Sequence, residues 1–188
     1  MASLNIVTMC GSLRKGSFNA ALARQLPKFA PPGLAIAAVP SIEAIPLYNQ
    51  DVRDVAVPEA VDALAQAVRK ADGVVIVSPE YNWSIPGTLK NAIDWLSKLD
   101  HQPFNGKPVA IQSASPGPYG GTRMQYHLRQ ALSSINAEIL VKPEVFVTSA
   151  ATKFAKDTLE LIDQPTIDVV KQQLANFEKF IRRVTGKA

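Results

Sequence analysis

The 188-residue sequence holds one cysteine, Cys10, and two histidines, His101 and His127. A single thiol excludes an internal disulfide and a thiolate metal cluster, and histidines this far apart cannot pair on one helical face, so no metal is expected. No apolar run approaches the roughly 18 residues of a membrane span, and no basic segment precedes the apolar stretch Leu4 to Cys10. The compartment expected is therefore the cytoplasm, with no membrane partner. Charge of one sign is scarce as well. Residues 1–170 carry 15 basic and 15 acidic side chains, and the +4 excess lies wholly in the last 18 residues. There Lys171, Lys179, Arg182, Arg183 and Lys187 face only Glu178, which reads as a solvated helix end favoured by the dipole, not a nucleic-acid surface. With 47% hydrophobic and 19% charged residues the chain is neither disordered nor fibrous, and its length suits one domain spanning 1–188.

What is present is an alternation of short apolar runs with longer segments of helical period. Strands are expected at Leu4–Cys10, Leu34–Val39, Gly73–Ser78, Pro108–Ser113 and Glu138–Val147. Most are apolar at successive residues, the mark of strands buried on both faces. Between and after them, apolar residues recur at spacings of three and four, as in Phe18, Leu22, Leu26 and Phe29, or Ile167, Val170, Leu174, Phe177 and Ile181. Such alternation predicts an α/β three-layer, doubly wound fold with a parallel sheet, because a parallel strand is reached by a right-handed crossover. Two connections exceed what this fold needs: Pro40 to Val57, and Thr148 to Gln164. The first carries Ile42, Ile45, Leu47 and Tyr48, too apolar to lie in water, and is expected to pack against a second subunit.

Ligands of open doubly wound sheets bind beyond the carboxyl ends of the strands, so the loops after strands one, three and four carry the chemistry. After the first strand, G-S-L-R-K-G-S-F-N (Gly11–Asn19) runs straight into a helix. A Walker A loop fails, since Ser17 and Phe18 stand where its lysine and hydroxyl belong; the dinucleotide pattern fails at Leu13, where its second glycine is required. Ser12, Arg14, Ser17 and Asn19 at a helix N-terminus suit a terminal phosphate monoester. The competing reading is that Ser17 merely caps the helix and Arg14 sits in solvent. After the third strand, P-E-Y-N-W-S-I-P-G (Pro79–Gly87) offers Tyr81, Asn82 and Trp83 to a flat heteroaromatic ring, or else plugs the end of the sheet. After the fourth, S-A-S-P-G-P-Y-G-G-T (Ser113–Thr122) has the glycines that let backbone lie against a ligand.

Together these loops resemble the NADPH-dependent FMN reductase family of flavodoxin-like proteins, and most closely its chromate and quinone reductase branch. The resemblance rests on G-S-L-R-K-G-S-F-N, on P-E-Y-N followed by P-G-T-L-K-N-A-I-D-W (Pro86–Trp95), and on S-P-G-P-Y-G-G-T-R. It implies a five-stranded sheet of order 2-1-3-4-5 with noncovalent FMN at the switch between strands one and three. Ser12, Arg14, Ser17 and Asn19 would then hold the phosphate, with Phe18 beside them. Pro79, Glu80, Tyr81, Asn82 and Trp83 would line the isoalloxazine, and Ser115, Gly117 and Gly120 would approach from the other side. Trp83 stands where a smaller aromatic is expected.

By the same resemblance the chain is an oxidoreductase that takes a hydride from NADPH or NADH and passes two electrons to quinones, chromate or other metal oxyanions, or free flavin. No catalytic side chain is needed, since the flavin carries the chemistry. A homodimer or homotetramer is implied, and Arg123, at the opening of the next helix, is placed to attract anionic acceptors or to pair with a carboxylate at an interface. The other reading of the same fold is an electron carrier without turnover of its own. Glu80 either orients the flavin, meets a neighbouring subunit or faces solvent, and Cys10 reads as inert packing.

Overall fold

A computed structural model describes residues 3–187. Its strands are β1 (Leu4–Cys10), β2 (Leu34–Ala38), β3 (Gly73–Val77), β4 (Pro108–Ala114), β5 (Glu138–Ile139) and β6 (Val145–Val147). All pair in parallel, in the order β2-β1-β3-β4-β5, with β6 also on β4. The helices are α1 (Phe18–Phe29), α2 (Gln50–Val55), α3 (Glu59–Lys70), α4 (Gly87–Ser97), α5 (Thr122–Ser133), α6 (Ala150–Lys153) and α7 (Gln164–Thr185). On one face of the sheet Leu4, Ile6, Val75 and Val77 pack on Leu22 and Leu26 of α1 and on Leu174 and Phe177 of α7. On the other, Val74, Ile76, Val109 and Ile111 meet Val61, Leu64, Leu89, Trp95 and Leu128 from α3, α4 and α5. Every residue of β3 and β4 is buried, which is why those runs lack the alternation of a half-exposed strand. Each such Val, Leu or Ile contributes about 1.5–3 kcal/mol through burial, so the two central strands anchor the fold. Among the described residues no helix is long and apolar enough to cross a membrane.

Three sequence expectations are corrected. The single strand expected at Glu138–Val147 is two. Val109 pairs with Ile139 and Gln112 with Val145, so three steps along β4 match six on its partner and residues 140–144 loop out. Pro143 lies in that excursion and has no N–H to give a ladder, while its carbonyl accepts from Gln173 Nε2 of α7 at 2.7 Å. The segment Pro40–Val57 is not a bare loop either: it contains a 3-10 turn (Ile42–Ala44) and α2. Ile42 and Ile45 are buried in the chain's own core, and Tyr48 meets Trp95 edge-on at 5.1 Å. Only Leu47 of the four apolar residues, 84% exposed, is left for any partner. In the last long connection, residues 150–153 form α6.

The basic carboxyl end is not simply solvated. Arg182 donates to Glu178 at 2.9 Å, and Lys187 pairs with Asp72, whose other oxygen accepts the Asn5 N–H at 2.7 Å. Burial alone would raise the Asp72 carboxyl, but the bonds from Lys187 and Asn5, with the charges of Lys187 and Lys107, outweigh it and hold it below its ordinary 3.8. A carboxyl depressed in the folded state stabilises the fold above its unfolded pKa, and that contribution is lost as pH falls through the folded value. Urea unfolding should therefore show wild-type stability falling more steeply than that of Asp72→Asn as pH drops from about 5 to 3, with the two curves converging at the acid end.

Candidate functional site

Because every strand is parallel, the ends of β1, β3 and β4 open on the same edge of the sheet. The chain leaves β1 at Gly11, whose N–H donates to Val77 O of β3 at 2.9 Å. A Cβ at Gly11 would sit 2.2 Å from Ser78 Oγ and 2.8 Å from Ser78 Cβ, so only glycine lets the two loops pass this closely. The loop then turns, with Ser17 N–H donating to Arg14 O at 3.2 Å, and Ser17 Oγ caps α1 by accepting from Ala20 N–H at 3.2 Å. The cap leaves the Phe18 and Asn19 N–H groups of the first turn without an intrahelical acceptor. Ser12 Oγ accepts the Arg14 N–H at 3.4 Å, so the hydroxyl protons of Ser12 and Ser17 remain available to a ligand. Arg14 is exposed beside them. Buried Asn19 has a structural role not expected of a phosphate ligand. Its Nδ2 donates to Ala114 O and its Oδ1 accepts Ala114 N–H, both at 2.8 Å, so the amide holds α1 to the end of β4 and keeps one N–H for the cavity it lines.

Beyond β3 the loop closes as a tight turn in which Tyr81 and Ser84 exchange two backbone hydrogen bonds, 3.1 and 2.9 Å. The two central residues, Asn82 and Trp83, have φ of 48° and 66°. Asparagine tolerates that region; tryptophan there is strained. The turn is held on α5, whose N-cap, Gly121, offers no side chain. Glu80 supplies one: its Oε2 accepts the Met124 N–H at 3.1 Å and its Oε1 lies 3.5 Å from Arg123 Nε. Ser84 Oγ meets His127 Nδ1 at 3.0 Å. Arg123 is thereby drawn inside the chain. Its guanidinium lies 4.3 Å from the Trp83 ring centre and 4.6 Å from that of Tyr119, joining the loops that follow β3 and β4.

The third loop is fastened from below. Ser115 N–H donates to Val147 O at 2.9 Å, and Ser115 O accepts from Ala150 N–H at 2.9 Å. Ser113 Oγ donates to Gly120 O at 2.5 Å and accepts from Gln125 Nε2 at 2.8 Å. Gly120 and Gly121, at φ 59° and 87°, turn the chain into α5 where a Cβ would strike Phe146 or Ser113.

A cavity of about 230 Å³ lies where the loops meet. It gathers Ser12, Arg14, Ser17, Phe18 and Asn19 from the first loop, Pro79, Glu80 and Tyr81 from the second, and Ser115 from the third. Asn82, Trp83, Gly117 and Gly120 do not line it. Ala114 and Pro116 do; both lie in the Ser113–Thr122 segment, whose expected ligand contacts are Ser115, Gly117 and Gly120. The supporting residue Gln125 escapes a reading by motif. Gln125 precedes Leu128 and Leu132 by three and seven, which puts an amide on the buried stripe of α5 and is the trace it leaves in the sequence. Phe18 turns partly to the core, its ring 5.2 Å from that of Phe154. At the back of the first loop, burial pushes the Cys10 thiol up from 9.0, which a hydrogen bond to Ser12 O and the charge of Arg24 only partly offset.

The sequence profile described as NADPH-dependent FMN reductase matches residues 4–152. A quinone reductase of Escherichia coli (strain K12) is 54% identical over 182 residues, covering 96% of this chain and 97% of the relative. An NAD(P)H-dependent FMN reductase of Pseudomonas aeruginosa is 42% identical over 183 residues, covering 97% and 98%. Among solved structures, the flavoenzyme FerB of Paracoccus denitrificans, an NAD(P)H:(acceptor) oxidoreductase, superposes with a TM-score of 0.86 at 32% identity, covering 96% of this chain and 98% of that one. With its sheet order and these matches, the chain belongs to the NADPH-dependent FMN reductase family of flavodoxin-like oxidoreductases.

Proposed function

We propose that this crevice holds noncovalent FMN and that the chain, as one FMN-binding domain over residues 1–188, uses NADPH or NADH to reduce small acceptors, quinones first among them. The observation that carries this reading is the convergence, at one concave point, of the Ser12 and Ser17 hydroxyls, the first-turn N–H groups of α1 and the exposed Arg14 guanidinium. This donor set, without any carboxylate from the same loop, fits a phosphate monoester dianion. Pro79 and Tyr81 from the loop after β3 and Ser115 from the loop after β4 line the same cavity and would meet the ring. The cofactor therefore fits the residues present.

When bound, the flavin supplies the redox chemistry, accepting a hydride from the nicotinamide and yielding two electrons to the acceptor. The chain's own task is positional. Ser12, Ser17 and Arg14 hold the phosphate, and backbone N–H groups of Phe18 and Asn19 add to the positive end of α1. Asn19 fixes that helix end against β4. Glu80, engaged with Met124 and Arg123, keeps the second wall at its distance from the third and has no free role as a proton donor. Arg123 does not line the crevice and lies beside Glu80; the charge it carries next to the loops after β3 and β4 would favour anionic acceptors such as chromate over a neutral quinone.

We further read the protein as a cytoplasmic homodimer or homotetramer. Leu47 and Val55, 84% and 88% exposed, are apolar surface that a second subunit would cover. No nucleic-acid partner is proposed.

Two measurements test the reading. Titration with FMN should show Arg14→Ala binding about tenfold to a hundredfold more weakly, the range for a lost charge-assisted hydrogen bond; an unchanged dissociation constant removes Arg14 from the phosphate site. The FMN-loaded protein alone should oxidise NADPH with a quinone over many turnovers. A single stoichiometric oxidation would identify an electron carrier instead.

A further inference from the structure

A second cavity is larger than the crevice. It measures about 460 Å³, twice the 230 Å³ of the crevice, and lies on the α1 side of the sheet at the carboxyl ends of β1 and β2. Short side chains on both walls leave the space. Ala20, Ala23 and Pro27 of α1 face Ile36 and Ala38 of the edge strand β2. At the inner end stand Thr8 and Cys10, and Ser12 is common to both cavities, so the phosphate loop is the partition between them. Thr8 Oγ1 is committed to Ala37 O at 3.3 Å. No carboxylate lines the cavity. Its one charged lining residue is Arg24, exposed at the rim, for which the described residues supply neither a hydrogen bond nor an ion pair; nearby Lys28, by contrast, is paired with Glu160. The size and the mainly apolar walls with a single charge are those of a small-molecule site.

We propose that this cavity is a second binding site, distinct from the flavin crevice, for a small organic acid with an apolar body: the body between α1 and β2, the carboxylate or other anionic group on Arg24. The charge decides the class, because an apolar slot with an unpaired guanidinium and no acid at its rim favours an anion over a cation of the same shape. The shared Ser12 wall gives the occupant a route to the phosphate loop, so its binding and that of FMN affect each other reciprocally.

The probe is 2-naphthoate, titrated calorimetrically into the FMN-loaded protein, with its neutral amide as the control of equal shape. Wild type should bind the acid at least tenfold more tightly than the amide. Arg24→Gln should remove that preference, and Ala23→Leu, which fills the slot, should abolish binding of both. Cys10 is the only cysteine, so its alkylation, followed by intact mass at alkaline pH because burial raises the thiol, locates the site. Saturating naphthoate should slow it about tenfold in wild type and not in Ala23→Leu. Neither variant touches the crevice, and quinone turnover should persist in both. Absence of binding overturns the proposal. So does naphthoate that binds equally in Arg24→Gln and Ala23→Leu and competes with the quinone, since it then lies over the flavin. The proposed oxidoreductase activity stands or falls separately, on turnover without naphthoate.

Discussion

The two hydrogen bonds between the Asn19 amide and the Ala114 backbone, 2.8 Å each, are the constraint on which the site's geometry depends. They join the first turn of α1 to the last residue of β4 in a buried position, where an unpaired donor or acceptor costs about 1–3 kcal/mol. That cost fixes the axis of α1 in the crevice. With it fixed, the first turn of the helix, Ser17 and Ser12 border one cavity, and the loop after β4 begins at a set distance from the loop after β1.

The other walls are built by the same device, a polar side chain reaching across the sheet edge to another element's backbone. Glu80 caps an α5 that has no cap of its own, and Ser113, held by Gln125, pins Gly120. None of these contacts is close in sequence except Ser113 to Gly120, and together they set the spacing of three loops that share no secondary structure. The glycines serve close approach: Gly11 makes room for Ser78, and Gly121 for Ser113. A ligand site made this way needs no reactive side chain, which suits chemistry carried by a cofactor.

Much of this could be read from the sequence because it is local. The unbroken apolar runs of β3 and β4 announce a parallel sheet buried on both faces, and the Gly11–Asn19 segment announces a helix N-terminus rich in donors. What stayed out of reach is what depends on distant partners. Asn19 reads as a ligand residue, and the bonds that tie both ends of its amide to Ala114, 95 residues away, cannot be seen from its loop. Pro143 warns of a break in the last strand, but where the pairing resumes at Val145 is set with Gln173 on α7. Trp83 looks like a stacking platform, yet its strained turn places it on Arg123 outside the cavity. The apolar residues of the Pro40–Val57 segment suggested a partner because burial in the chain's own core, against Trp95, cannot be seen from their spacing.

The account stands most directly on the visible absorption spectrum of the purified protein, recorded with FMN added in excess and then removed by gel filtration, before and after anaerobic NADPH. Flavin absorption that co-elutes with the protein at one per chain, and that NADPH bleaches, is the predicted result. A colourless protein that retains no FMN, or bound flavin that NADPH leaves oxidised, would contradict it.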